Sequence, residues 1–344
     1  MLLVVNGSVH SPAPLGRQTL VLAGGFIEKI GDVDVDALVK MFDARIVDAT
    51  GCIVAPGLID AHIHLIGGSG EKGFASATGG ISARELLAAG TTTVVGLLGT
   101  DTTTKTLPAL LAKVKALREE GINARMWTGG YDARTLTGSL RDDIVLIEEI
   151  IGAGEIAIAD RRGMHYDGRT LARFASDCYI AGTLTGKAGV LHLHTGDRAD
   201  KLSVVREVLE FGVPAAALHP AHVNRNEELF RDAIELTRRG VAVDLDVVEE
   251  NLTHWLRMYD GNRSMLTIST DAPIGRVASL LEQVREAARL WSLEEALALA
   301  TRNPARVLKL HEVGLIAEGK RADLLLLDEK SLELRQVIAN GRIG

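Results

Sequence analysis

The chain has 344 residues, 47% of them hydrophobic and 24% charged, which excludes a disordered or fibrous protein. At roughly 150 residues per domain, that length fits two domains, or one large α/β barrel with a small appendage. The balance of 38 basic and 45 acidic residues gives a net charge of −7 with the signs interspersed, so neither nucleic acid nor an anionic membrane is an expected partner.

The N-terminal MLLVVNGSVHSP lacks a basic leader and reads as a first strand rather than a signal peptide. VVNGSV, QTLVLAGGFIEKIG and ARIVDATGCIVA follow as short β-branched runs broken by NG and GG turns. The middle then repeats a strand-and-helix rhythm. Strands are expected at 58–65, 92–99, 124–130, 150–158, 189–196, 216–223, 241–247 and 266–272. Between them lie amphipathic helices such as 107–121, where Leu107, Leu110, Leu111, Val114 and Leu117 form one stripe, Pro108 opens the helix and Gly121 closes it. KLSVVREVLEFG and ELFRDAIELTRRG repeat the design. Eight parallel strands with crossover helices make a (β/α)₈ barrel the expected α/β fold. An open doubly wound sheet is disfavoured because no GxGxxG or GxxxxGK[ST] follows a strand. The C-terminal GLIAEGKRADLLLLDEKS and LRQVIANGRIG return to strands, so a small sheet domain from both termini is expected, with residues 1–55 and 311–344 flanking a barrel of 56–310. Cys52 and Cys178 suit no disulfide framework or zinc ribbon, and no stretch reaches the ~20 apolar residues of a membrane span; a cytoplasmic protein is expected.

Ten histidines carry most of the chemical information. His62 and His64 are two apart on the first barrel strand and so share a face. His194 ends the fifth expected strand, His222 the sixth and Asp271 the eighth, with Glu155 near the end of the fourth. In a barrel these ends converge at the C-terminal mouth, where such folds keep their sites. Four imidazoles and two carboxylates suit one or two divalent ions, with zinc expected. Singly, each histidine is more simply explained by hydrogen bonding within a strand; the coincidence of four strand ends favours metal. His192 shares a face with His194, and either sits deeper in the barrel or exchanges roles with it. His219 is assigned to support or core, and His10, His165, His254 and His311 to structure or surface.

PGLIDAHIHL, the later single histidines, STDA, TRNPARVLKL and GLIAEGKRADLLLLD together resemble the metal-dependent amidohydrolase superfamily from end to end. HLIGGSGEKG, VVGLLGTDT, TGGYD, HTGD and HPAHVNRN are similar to the isoaspartyl dipeptidases within it. The resemblance implies a distorted barrel with a small β-sandwich from both termini, two zinc ions per chain and assembly into homo-oligomers. It implies hydrolysis of the β-peptide bond of isoaspartyl dipeptides by a bridging hydroxide, or, as the alternative, of an N-acyl amino acid or cyclic amide. His62, His64 and Asp271 would hold one ion, and His194 and His222 the other. Asp271 would also carry the proton to the leaving amine, and Tyr131 would donate to the developing oxyanion. Glu71 and Thr100, with the backbone of Gly68 and Ser69, resemble a clamp for the α-amino group; Arg225 and Arg162 (or the adjacent Arg161) resemble the forks for the α-carboxylate. A barrel that has lost catalysis and serves as a scaffold is the reading from another class, opposed by the intact ligand set.

Two stretches depart from that family. Its bridging carboxylated lysine has no counterpart in IIGAGEIAIAD, where Glu155 takes the place. Glutamate is about 4 Å shorter, so it bridges only if a bulge at Ala153 and Gly154 brings its backbone inward; a single metal, or Glu155 as an ordinary strand residue, are the competing outcomes. The loops flanking the eighth strand are short, and the hydroxyl expected near Gly275 is missing, which implies a more open mouth.

Overall fold

The run LLLLD near the C-terminus shows how the termini are joined to the rest. In the computed structural model, which describes residues 1–248 and 252–344, Leu324 and Leu326 point into one apolar core and Leu325 and Leu327 into another. A strand buried on both faces loses the usual alternation with polar residues, and CIVAP does the same, with Val54 on one side and Ile53 and Ala55 on the other.

The N-terminal strands are β1 (Leu2–Val5), β2 (Ser8–His10), β3 (Pro14–Arg17), β4 (Thr19–Ala23), β5 (Phe26–Gly31), β6 (Arg45–Asp48) and β7 (Cys52–Pro56). The barrel strands are β8 (Leu58–Ile63), β9 (Thr91–Gly96), β10 (Asn123–Thr128), β11 (Ile150–Ile158), β12 (Val190–Thr195), β13 (Leu218–Ala221), β14 (Val243–Asp246) and β15 (Leu266–Ser269). The chain ends with β16 (Leu324–Asp328), β17 (Leu334–Ala339) and β18 (Arg342–Ile343). One terminal sheet runs β5-β4-β1-β6 and the other β18-β17-β16-β7-β2-β3, so N- and C-terminal strands share a sheet. Between these sheets lies a core of Leu2, Val4, Leu20, Leu22, Ile27, Leu324 and Ile338. The expected sequence runs miss β3, every residue of which is exposed, and the helix Val35–Phe42, which has no fully buried side chain.

β8 to β13 form one parallel sheet in sequence order, and β14 and β15 a parallel pair. Backbone bonds close the ring: Val223 N–H donates to Asp244 O (3.4 Å), Asp271 N–H to His62 O (3.1 Å) and His64 N–H to Ala272 O (2.8 Å). All eight expected barrel strands are present, and the fold is a (β/α)₈ barrel with added sheets from both termini. The helix Leu107–Glu119 shows why the crossovers form where they do. The Thr106 hydroxyl accepts from Ala109 N–H at its start, and Leu107, Leu110, Val114 and Leu117 are buried against the sheet. No helix among the described residues is long and apolar enough to cross a membrane.

Candidate active site

Ligand types gather at the carboxyl ends of the barrel strands. His62 lies in β8 with His64 just beyond it, Glu155 in β11, His194 in β12, and His222 and Asp271 just past β13 and β15. All six are buried. His222 and Asp271 hold left-handed backbone conformations, with φ of 58° and 51°, rare for such residues and most often found where a site demands them. Ligand atoms of His62, His64 and Asp271 converge in one group, and those of His62, Glu155 and His222 in a second. Asp271 Oδ1 lies 2.9 Å from His64 Nε2 and 3.4 Å from His62 Nε2.

Glu155 reaches this centre through a break in register. Ala153 pairs with Leu191 and Ile156 with Leu193, so Gly154 and Glu155 together face His192 alone. This is the bulge the sequence required. A Cβ on Gly154 would lie 2.7 Å from both the Cβ and the carbonyl oxygen of His192, so only glycine lets the two strands approach this closely. Glu155 Oε2 then lies 2.8 Å from His194 Nδ1, 3.4 Å from His62 Nε2 and 3.5 Å from His222 Nε2, with Oε1 3.9 Å from His64 Nε2. One short carboxylate touches four imidazoles.

The electrostatics follow from that crowding. Burial alone would raise the Glu155 carboxyl, but the facing His62 and His194 hold it well below the carboxylate range. Asp271 is depressed for the same reason, with His62 and His64 outweighing its burial. His222 is pushed up to about 10: burial opposes its charge, but hydrogen bonds with Asp246 and Glu155 prevail. Asp246 bonds His222 Nδ1 and is itself held by Asn224, whose Oδ1 accepts from Asp246 N–H (3.1 Å). His62 Nε2, His64 Nδ1 and Asp271 Oδ1 are buried with no hydrogen bond among the described residues. His62 Nε2 and Asp271 Oδ1 are orphaned together, 3.4 Å apart and beside further imidazole and carboxylate groups, which is the donor set a zinc ion takes, so these residues fit a divalent metal.

Above this floor opens a cavity of about 460 Å³, lined among others by His64, Ser69, Glu71, Thr100, Tyr131 and Arg162. Arg225, Asn224, Asp246 and Asp271 also border it, as do Val248 and Ile274 from the stretches flanking β15. Residues 249–251 of the first of those stretches lie outside the described residues. Tyr131 Oη is 2.9 Å from His194 Nε2. Burial, reinforced by the charge of Glu155, pushes its phenol well above the ordinary value, so it keeps its proton for donation. Arg162 donates to both oxygens of Glu71 (2.8 and 2.7 Å) and forks onto Asp160 (2.9 and 2.6 Å). Thr100 Oγ1 donates to Glu71 at 3.3 Å, and Arg225 Nε donates to Thr195 O at 2.7 Å. Arg162 lines the cavity and Arg161 does not.

Several sequence expectations change in detail. Gly68 does not line the cavity: its N–H and C=O are engaged by Thr78, closing the loop on itself, so it offers no free backbone group for an amine. His194 stands outside both ligand groups; its Nδ1 faces Glu155 and its Nε2 faces Asp160 at 3.2 Å. His192 sits deeper in the barrel, beside His62 and His219, and does not replace His194. Sequence reasoning missed Asp160 and Asp246. Both were findable, since each is an acid at or just beyond the carboxyl end of a barrel strand.

A model of the amidohydrolase family matches residues 53–166 and 181–344. The structure resembles a β-aspartyl dipeptidase from the thermophilic, keratin-degrading Fervidobacterium islandicum AW-1, solved in complex with a β-Asp-Leu dipeptide. The TM-score is 0.93 and the identity 33%, covering 99% of this chain and 96% of that one. By sequence the chain is 26% identical over 345 residues to an enamidase from Eubacterium barkeri, covering 94% of this chain and 84% of that protein. It is 26% identical over 306 residues to a dihydroorotase from Syntrophotalea carbinolica, covering 83% and 68%.

Proposed function

Because the chain belongs to the amidohydrolase family, we propose that it is a zinc-dependent hydrolase that cleaves the β-peptide bond of isoaspartyl dipeptides. The observation that carries this reading is a single cavity with buried ligand atoms at its floor and a carboxylate and two guanidinium groups at its rim. An isoaspartyl dipeptide presents a free α-amine and a free α-carboxylate on the carbon next to the reacting side chain, and that rim offers a complement to both.

His62, His64, Glu155, His194, His222 and Asp271 would hold the metal, with Glu155 shared between two ions in place of a carboxylated lysine. When bound, metal supplies Lewis acidity and lowers the pKa of water toward ~7. The rest falls to the chain. Glu71, with Thr100 and Ser69, receives the substrate's ammonium group, and Arg162 and Arg225 fork onto its carboxylate. Tyr131 donates its phenolic proton as a hydrogen bond to the oxygen that becomes negative when water attacks the amide carbon. The Asp271 carboxylate takes the proton released by that water and delivers it to the amide nitrogen, so the C–N bond breaks with a neutral amine leaving.

The sequence relatives support a second reading, another amide hydrolase of this family acting on an N-acyl amino acid or a cyclic amide. Turnover of β-Asp-Leu, α-Asp-Leu and N-acetyl-leucine by metal-stripped protein, with and without added zinc, separates the two. Zinc-dependent cleavage of β-Asp-Leu alone is the expected result. Cleavage of N-acetyl-leucine moves the assignment to the second reading, and no turnover with zinc fully bound overturns both.

A further inference from the structure

Below the candidate metal centre runs a file of buried polar groups with no part in the chemistry above. His62 Nδ1 is 2.8 Å from His192 Nε2, and His192 Nδ1 is 3.1 Å from His219 Nδ1. His219 Nε2 is 3.1 Å from Thr267 Oγ1. The Thr267 hydroxyl bonds one oxygen of Asp244, and the Ser269 hydroxyl bonds the other. The histidines, Thr267, Ser269 and Asp244 are all fully buried, and the Trp127 indole stacks on His192 at 5.0 Å with the planes 10° apart.

The direction of each hydrogen bond follows from the far end. Asp244 receives a hydroxyl on each oxygen and acts as the acceptor for both. Thr267 has one proton, so once it donates to Asp244 its oxygen can only accept from His219 Nε2–H. Two ring N–H groups cannot face each other across 3.1 Å, so His219 Nδ1 is the acceptor and His192 Nδ1 the donor. His192 Nε2 is then an acceptor, and His62 Nδ1–H must be the donor to it. The remaining lone pair of His62 is on Nε2, the buried atom without a hydrogen bond that faces Glu155 and Asp271.

We propose that His192, His219, Thr267 and Asp244 are positioning residues that fix the tautomer and orientation of His62, so that a carboxylate on β14, four hydrogen bonds away, commits its Nε2 to the metal. The inference rests on His62 being a ligand. It goes beyond that assignment in making metal affinity depend on a hydroxyl three residues removed along the chain of bonds.

The test uses metal-stripped full-length protein and its zinc affinity, measured by competition with a chromophoric chelator. Thr267→Val keeps the shape but removes the hydroxyl; Thr267→Ser keeps the hydroxyl but removes a methyl. The expected result is a loss of about ten-fold or more in zinc affinity for T267V and for Asp244→Asn. T267S stays within about two-fold of the unmodified protein, although it loses a buried methyl that T267V keeps. T267S weakening zinc as much as T267V, or neither variant changing it, overturns the proposal and leaves the file as packing. Should the variants fail to fold, ¹⁵N spectra of the unmodified protein labelled at histidine decide: a proton on His62 Nδ1 is expected, and an unprotonated Nδ1 overturns it. Unmodified protein that binds no zinc overturns the ligand assignment itself, and the relay with it, so the two failures are distinguishable.

Discussion

The barrel mouth and the terminal sheets both bury carboxylates, and they treat them in opposite ways. At the mouth, Glu155 and Asp271 are driven below the carboxylate range because imidazoles surround them. In the terminal sheets, Asp323 is equally buried but is pushed up to about 6, because burial outweighs its one guanidinium partner, Arg321. Burial is common to both; the number of cationic or cation-ready partners differs. A cluster in which several imidazoles answer each carboxylate exceeds what folding requires, since an apolar core would be cheaper to assemble. That excess marks the mouth as a working site, and Asp323 as a local tie within a sheet.

If the mouth is the working site, the largest effect belongs to Asp271. Asp271→Asn keeps the shape but removes the proton carrier, and kcat for β-Asp-Leu should fall by about 10³-fold or more. Zinc content, measured alongside, should remain substantial; unchanged turnover would show that Asp271 is not the proton carrier. Glu155→Gln should come next. It leaves four imidazoles facing a neutral amide, and zinc affinity should weaken by more than the ~10–100-fold typical of losing a supporting partner. Full zinc binding by this variant would make Glu155 an ordinary strand residue. Glu71→Gln sharpens the contrast between floor and rim. Glu71 is half-exposed and already paired with Arg162, so its loss should lower kcat/KM by about 10- to 100-fold, the worth of a hydrogen bond to a charged group. Zinc affinity should not change. A matching loss for a substrate lacking the α-amine would place the defect elsewhere than the ammonium subsite.

The sequence carried the barrel because its strands are short, apolar and β-branched, and because Gly121, Gly212 and Gly240 punctuate the helices between them. It carried the floor of the site because metal-ligand residue types recur at strand ends. Depth was not legible. Spacing put His192 on the face of His194 and asked for a bulge beside Glu155, but could not say that this bulge lies opposite His192 and leaves it below the centre. Loop geometry was equally hidden: nothing in GSGEKG tells that Thr78 engages Gly68, and nothing in DRRG distinguishes Arg162 from Arg161. β3 escaped because it is exposed along its length and imposes no hydrophobic period on the sequence. The helix Val35–Phe42 does carry such a period, with Val35, Leu38 and Val39 packed against Leu3, Val21 and Ala44, and so was legible though missed.

Asp323 provides the smallest and most local test of the same comparison. Its Oδ1 accepts from Asn340 N–H at 2.7 Å and its Oδ2 from Arg321 Nε at 2.8 Å, tying the β17–β18 turn to β16. With its folded value near 6 and its unfolded value at 3.8, the folded protein holds the extra proton between those values. Stability then falls with rising pH wherever the native state binds more protons, so this one group contributes a negative slope between about pH 4 and 6 and none above. Asp323→Asn removes the titration while its side-chain oxygen can still accept from Asn340 N–H. Urea unfolding across that window should therefore show a flatter or more positive dependence on pH for D323N than for the unmodified protein, with the two curves parallel above pH 7. Parallel curves throughout would mean that Arg321 and the Asn340 N–H just offset the burial of Asp323, and the distinction between the two regions would then rest on the chemistry of the mouth alone.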